Sequence, residues 1–190
     1  MENYSSILIG GGITLIGTII GVWGSYFFQR KINNNDEKQK INSFLVSIKA
    51  EISNVWNRYY ETVGKKVEAL NENEGLNLFY PVFDNYFVVY DNNTNCLGNL
   101  DKELSEIIVK TYILAKGLKD SFVFNNSLIN EIRRYSDLVN ERQETKYCKI
   151  EREQVIGMYK GYGNDIRKMH FLLKENKDIL LSEIDEKLSV

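Results

Sequence analysis

The sequence predicts a mainly α-helical protein, with one N-terminal transmembrane helix followed by a cytoplasmic antiparallel helical bundle. Three observations carry that prediction. Residues 7–28 form an uncharged, largely apolar run of 22 residues. Apolar residues recur at spacings of three and four through most of the remaining chain, which is the helical period. Pro81 is the only proline in 190 residues, and the long segments are filled with Ile, Leu, Lys and Glu, which favours helix over strand. The expected organisation is a short tail over 1–6, a membrane span over 7–28, a polar neck over 29–40 and a helical cytoplasmic domain over 41–190.

The span reads ILIGGGITLIGTIIGVWGSYFF. At about 1.5 Å per helical residue its length matches the hydrocarbon core of a bilayer, roughly 30 Å thick. Its apolar side chains favour insertion by about 4–6 kcal/mol with no charge opposing them. Gly10, Gly11 and Gly12 would suit a nucleotide loop only after a strand and before a Lys or acidic partner, and they lie too near the start of the chain for that. A cleavable signal peptide would carry Lys or Arg ahead of its apolar region and a small-residue cleavage site behind it. Here MENYSS precedes the run and QRK follows it, so the span is expected to be retained. Arg30, Lys31, Lys38 and Lys40 follow the span and Glu2 precedes it, which predicts an N-terminus outside and a cytoplasmic C-terminal domain. Trp23, Tyr26, Phe27 and Phe28 supply the aromatic belt at that interface.

Placed on a helix at 100° per residue, Gly10, Gly11, Thr14, Gly17, Thr18, Gly21, Gly24 and Ser25 share one arc of about 140°. Bulky residues fill the rest, with Gly12 as the small exception. A face of small residues lets helix backbones approach closely, and Gly17 with Gly21 forms the GxxxG case, so self-association of the span is expected. Thr14, Thr18 and Ser25 are the hydroxyls of that face, and in a ring of helices they could line a narrow aqueous path.

Beyond the neck KINNNDEKQK, which reads as a hinge because its residues weaken helix continuity, a stripe runs through Ile41, Leu45, Ile48, Ile52, Val55, Tyr59, Val63, Val67 and Leu70. It predicts a helix of about eight turns. A second stripe, Leu100, Leu104, Ile107, Thr111, Ala115, Leu118 and Phe122, follows Asn99 as N-cap; a third, Leu128, Ile132, Tyr135 and Val139, follows Asn126 and Ser127 as cap candidates. The last runs Val155, Met158, Tyr162, Ile166, Met169 and Leu173, with Leu180, Ile184 and Leu188 behind it. Residues 78–98 depart from the pattern and crowd aromatics around Pro81, for which a short helix starting at Pro81 or a strand over 86–90 is expected.

Composition narrows the chemistry. A net charge of −2 gives no global signal for coating nucleic acid. Cys96 and Cys148 make no C-x-x-C pair, and His170 is the only histidine, so neither a metal site nor a cofactor is expected. Acyl-transfer, Walker A and HExxH signatures are missing from the sequence, which points away from an enzyme. The most suggestive local stretch is MYKGYGNDIRKMHF, 158–171. In it Tyr159 could stack on a base while Lys160, Arg167, Lys168 and His170 meet phosphates, making a candidate patch for a nucleotide or oligonucleotide regulator. The same residues also read as an ordinary amphipathic helix with Met158, Tyr162, Ile166 and Met169 turned to the core. Arg133, Arg134, Lys146, Lys149 and Arg152 add nearby positive charge, diluted by five glutamates.

The Gly/Ile/Thr-rich span ending SYFFQRK, the long helix after it and the segment VFDNYFVVYDNNTNCLGNLDKELSEIIVKTY together cover residues 7–112. In these features the chain resembles a loose group of uncharacterised single-pass bacterial membrane proteins with helical cytoplasmic domains. Some proteins of that build serve as effectors of anti-phage defence, in which a soluble domain controls a membrane-damaging oligomer. The resemblance implies an inner-membrane homo-oligomer that acts as an effector or ion channel; a tethered adaptor for a cytoplasmic protein partner is the alternative. It carries no catalytic residues across.

Overall fold

The computed structural model describes the backbone of residues 2–82, 85–140 and 146–189, and the side chains of residues 23, 25, 29–30, 35–82, 85–139 and 148–189. Every regular element among them is helical. In chain order they are α1 (Glu2–Tyr59), a π-helical turn (Tyr60–Gly64), α2 (Lys65–Glu68), α3 (Val88–Asn92), a 3-10 turn (Thr94–Asn99), α4 (Lys102–Asn140) and α5 (Lys146–Ser189). The chain divides into two compact units, Met1–Ser43 and Phe44–Val190.

The first unit is helical. The polar segment 29–40, expected to break or hinge, is part of α1, and its described side chains are exposed. It contains no Gly or Pro, and each asparagine costs a helix well under about 1 kcal/mol, which its Glu, Lys and Gln neighbours offset. Among the described residues no helix is long and apolar enough to cross a membrane. The backbone of the expected span is described as helix, but of its side chains only Trp23 and Ser25 are described, both exposed. Gly10, Gly11, Thr14, Gly17, Thr18, Gly21 and Gly24 fall outside the described side chains.

The second unit is a three-helix bundle built from the end of α1 with its continuation through α2, and from α4 and α5. Contacts set the directions. Tyr135 meets Glu151, Phe124 meets Tyr162, Ser121 meets Met169 and Asp101 meets Lys187, so α4 and α5 run antiparallel. Lys49 pairs with Asp185 and Tyr59 with His170, so α1 is also antiparallel to α5. Glu51 meets Tyr112 and Tyr59 meets Phe122, so α1 runs parallel to α4. The core comprises Phe44, Leu45, Ile48, Ile52, Val63, Val67, Leu104, Ile108, Tyr112, Leu118, Phe122, Ile166, Leu173, Leu180 and Ile184, all buried. Each such side chain contributes about 1.5–3 kcal/mol. The exposed pairs Lys49–Asp185 and Lys187–Asp101 are worth about 1 kcal/mol at most, so they select register rather than supply stability.

Several expected boundaries are corrected. α4 is continuous from Lys102 to Asn140, so Asn126 and Ser127 cap nothing. Their local stripe is one helix face read twice. Asp101, not Asn99, caps α4: its Oδ1 accepts the Leu104 backbone N–H at 3.0 Å. Neither a helix at Pro81 nor a strand over 86–90 forms; the regular element there is α3. In α5 the buried stripe passes through Val155, Gly163, Ile166, His170 and Leu173, while Met158 is exposed and Met169 half-buried.

Because parallel helices need a long return, residues 69–101 cross back over the bundle, held by polar side chains of the helices. Asn126 mimics a peptide group, accepting the Tyr80 N–H at 3.0 Å and donating to the Tyr80 carbonyl at 2.6 Å. Asn125 donates to the Leu76 and Leu78 carbonyls. Glu51 accepts the N–H groups of Val89 (2.6 Å) and Tyr90 (3.2 Å), capping α3 from another helix. Asn73 takes a left-handed conformation, φ 59°, and its N–H donates to Asn164.

The return segment lies tightly on α5. A Cβ at Gly163 would sit 2.1 Å from the Glu74 carbonyl oxygen, whereas one at Gly161 would meet nothing within 4 Å. Gly163→Ala is therefore expected to destabilise the protein by about 2 kcal/mol or more, since the obstacle is backbone. Gly161→Ala, two residues away on the same helix, should stabilise by about 0.5–1 kcal/mol. Chemical denaturation of the two variants checks the opposite signs.

Candidate functional site

At the C-terminal end of α1 the helix widens into the π turn, an element that recurs at functional sites. Two features accompany it. Thr62 Oγ1 donates to the Arg58 carbonyl at 2.7 Å and to that of Tyr59 at 3.1 Å. Gly64 permits close approach, since a Cβ there would lie 2.8 Å from the Tyr60 ring and 3.4 Å from His170 Cε1.

His170 is fully buried against this turn. Its Nε2 lies 3.1 Å from Glu68 Oε1, and its Nδ1 2.7 Å from the Tyr59 hydroxyl. A carboxylate can only accept, so Nε2 carries the proton; Nδ1 is then the acceptor and the Tyr59 hydroxyl donates to it. Glu68 also accepts from Lys174 Nζ at 2.7 Å and from the Tyr60 hydroxyl at 3.0 Å. Lys174 foremost, with His170 and Tyr60, holds the Glu68 carboxyl down at about 2. Burial pushes His170 below its ordinary value and outweighs the opposing pull of Glu68. Burial, with the Glu68 charge, raises the Tyr59 hydroxyl well above the ordinary phenol range, keeping it a donor. Both imidazole nitrogens are thus committed, and the arrangement cross-links three elements instead of presenting a base to solvent.

Beside this network the bundle holds an apolar cavity of about 190 Å³. Trp56, Tyr59 and Ile52 come from α1, Ala115, Leu118 and Phe122 from α4, Leu173 from α5, and Tyr80, Tyr86 and Phe87 from the return segment. Arg58, Lys119 and Lys177 also line it. Tyr59 belongs to both cavity and network. Lys177 Nζ lies over the Trp56 ring at 5.2 Å and Arg58 over the Tyr86 ring at 5.5 Å. Trp56 packs on His170 and stacks on Tyr60.

The proposed patch on α5 is dispersed in the structure. His170 is buried in the network, and Arg167 lies over the Phe171 ring at 5.4 Å. Lys168 is exposed. Tyr159 and Lys160 do come together, lining an open cleft of about 530 Å³ with Arg133, Glu74 and Asn73. Glu74 places negative charge in that cleft, and the Tyr159 ring is held by Gly75, where a Cβ would lie 1.9 Å from Cε1. Trp56, Glu68, Lys174 and Lys177 were not singled out in the sequence, and Tyr59 only as a core position of the α1 stripe. The usable signal was the single histidine, one helical turn before Lys174 on α5. Among the described residues no group of three or more His, Cys, Asp or Glu side chains could hold a metal ion.

The network makes stability pH-dependent. His170 has a lowered value in the folded state, so its contribution is complete above pH 6.5 and declines as pH falls from there toward that lowered value. The Glu68 contribution is present above about 4.5 and is lost as pH falls toward about 2. Unfolding free energy should therefore begin to fall below pH 6.5, before carboxylates titrate. In His170→Gln, which lacks the only imidazole, that first decline should vanish while the acid loss from Glu68 persists. Denaturant titrations from pH 7.5 to pH 3 check both phases.

No family model, curated protein or solved structure matches the chain, so its functional reading rests on the site and the sequence.

Proposed function

We propose that the chain is a self-associating membrane effector. Residues 7–28 cross the membrane, their small-residue face packs copies together, and the helical domain controls the resulting cluster. In its sharpest form the cluster is a gated pore that permeabilises the bacterial inner membrane, in the defence setting that the resemblance implies. One observation carries the reading: eight small residues occupy a single arc of about 140° within 22 uncharged residues. A simple anchor has no need of that face. The role requires no catalysis, and the committed nitrogens of His170 agree with a non-enzymatic domain. A few kcal/mol of differential ligand binding by the helical domain would shift a closed cluster toward an open one.

A membrane-tethered adaptor is the second reading, favoured by large apolar side chains that α4 and α5 leave exposed, among them Ile113, Phe124, Phe171, Leu172 and Ile179. The two readings part in reconstituted liposomes. The effector reading expects an oligomer in detergent and dye release from liposomes. Gly17→Ile combined with Gly21→Ile should insert yet lose both association and release, and Thr18→Leu should suppress release while sparing association. An oligomer that inserts but passes no ions supports the adaptor; unchanged mass in the glycine double variant removes the packing claim.

A further inference from the structure

We propose that the cavity of the Phe44–Val190 unit is a binding site for a small aromatic carboxylate. Every lining residue belongs to that unit, so the inference goes beyond the membrane reading and holds whether or not residues 7–28 form a pore.

Size and wall chemistry set the body of the ligand. Trp56, Tyr59, Phe87, Leu118 and Phe122 present flat and branched apolar surface around about 190 Å³. Apolar cavities of about 150 Å³ take up a benzene ring, so this one holds a single ring with a few further atoms. Aromatic walls favour a ring as occupant through stacked and edge-on contacts.

Charge sets the polar group. Arg58, Lys119 and Lys177 line the cavity, and no Asp or Glu is among the described residues that do. Lys177 is the informative one: it is only 8% exposed, and an ammonium removed from water needs compensation. Its compensation is the Trp56 face and Asp178, whose side chain is 63% exposed and so is screened by water. A carboxylate inside the cavity would be a less screened partner. Lys119 is half-buried and also acts on Asp91 of the return segment. One compact anionic group beside a ring fills the space, which excludes a nucleotide.

The test uses the full chain in detergent, with a detergent blank, and calorimetric titration of phenylacetate and its neutral isostere phenylacetamide. Phenylacetate should bind one per chain and about tenfold more tightly than the amide, the usual gain from one charge-assisted hydrogen bond. Lys119→Met, at a half-buried position on α4, should erase most of that preference while amide binding persists. Ala115→Leu, which fills the cavity with apolar volume, should abolish binding of both while the protein stays folded. The proposal is overturned if neither compound binds, if the two bind equally, if Lys119→Met keeps the full preference, or if folded Ala115→Leu still binds.

Discussion

A fully buried imidazole must find a partner for each ring nitrogen, and in this protein the two partners come from different elements. Tyr59 ends α1, Glu68 ends α2, and His170 sits mid-way along α5. Meeting both requires that the chain between Tyr59 and Glu68 present the hydroxyl and the carboxylate to the same ring, which the widened π turn does, with Gly64 leaving room for the ring. An unsatisfied nitrogen at that depth would cost about 1–3 kcal/mol, comparable with a core leucine. Most buried side chains around it could be exchanged for others of similar volume; the imidazole could not be exchanged for an apolar side chain without stranding the Tyr59 hydroxyl and removing one donor from Glu68. Lys174 and Tyr60 complete the carboxylate, so the charge on Glu68 is held by three donors, two from α5 and one from the turn.

The second constraint is topological. α1 and α4 run parallel, so the chain needs the long return over 69–101, whose backbone must be satisfied without a sheet. Helix side chains supply the missing partners: Asn126 stands in for a strand neighbour at Tyr80, Asn125 binds two carbonyls, and Glu51 caps α3. The return segment then contributes Tyr80, Tyr86 and Phe87 to the cavity wall. Cavity and histidine network therefore share one origin, the way α1 is closed off and brought back to α4, and Tyr59 joins them physically.

How much of this was legible in the sequence follows from what kind of residue does each job. The α1 stripe from Leu45 to Leu70 read correctly because its buried positions are apolar at a steady spacing. In α5 Val155, Ile166, Leu173, Leu180 and Ile184 were read correctly, but the buried face also includes Gly163, His170 and Lys177, which an apolar pattern skips, so Met158, Tyr162 and Met169 were taken beside it. The neck read as a hinge because three asparagines suggest a break, but intrinsic preference that weak yields to the residues on either side. Asn125 gave no signal and Asn126 was misread as a helix cap, since what they bind lies 46 to 49 residues earlier. The three-dimensional partners of His170 were invisible for the same reason: Tyr59 and Glu68 are more than 100 residues away.

The central claim is that His170 is a neutral imidazole, protonated on Nε2 and accepting from Tyr59 on Nδ1. The protein has one histidine, so its ring nitrogens can be observed by ¹⁵N NMR without assignment. At pH 6.5, where a free imidazole is half protonated, the account predicts a predominantly neutral ring with a slowly exchanging proton on Nε2 and none on Nδ1. A ring that is half or more imidazolium at that pH, or one carrying its proton on Nδ1, would contradict it.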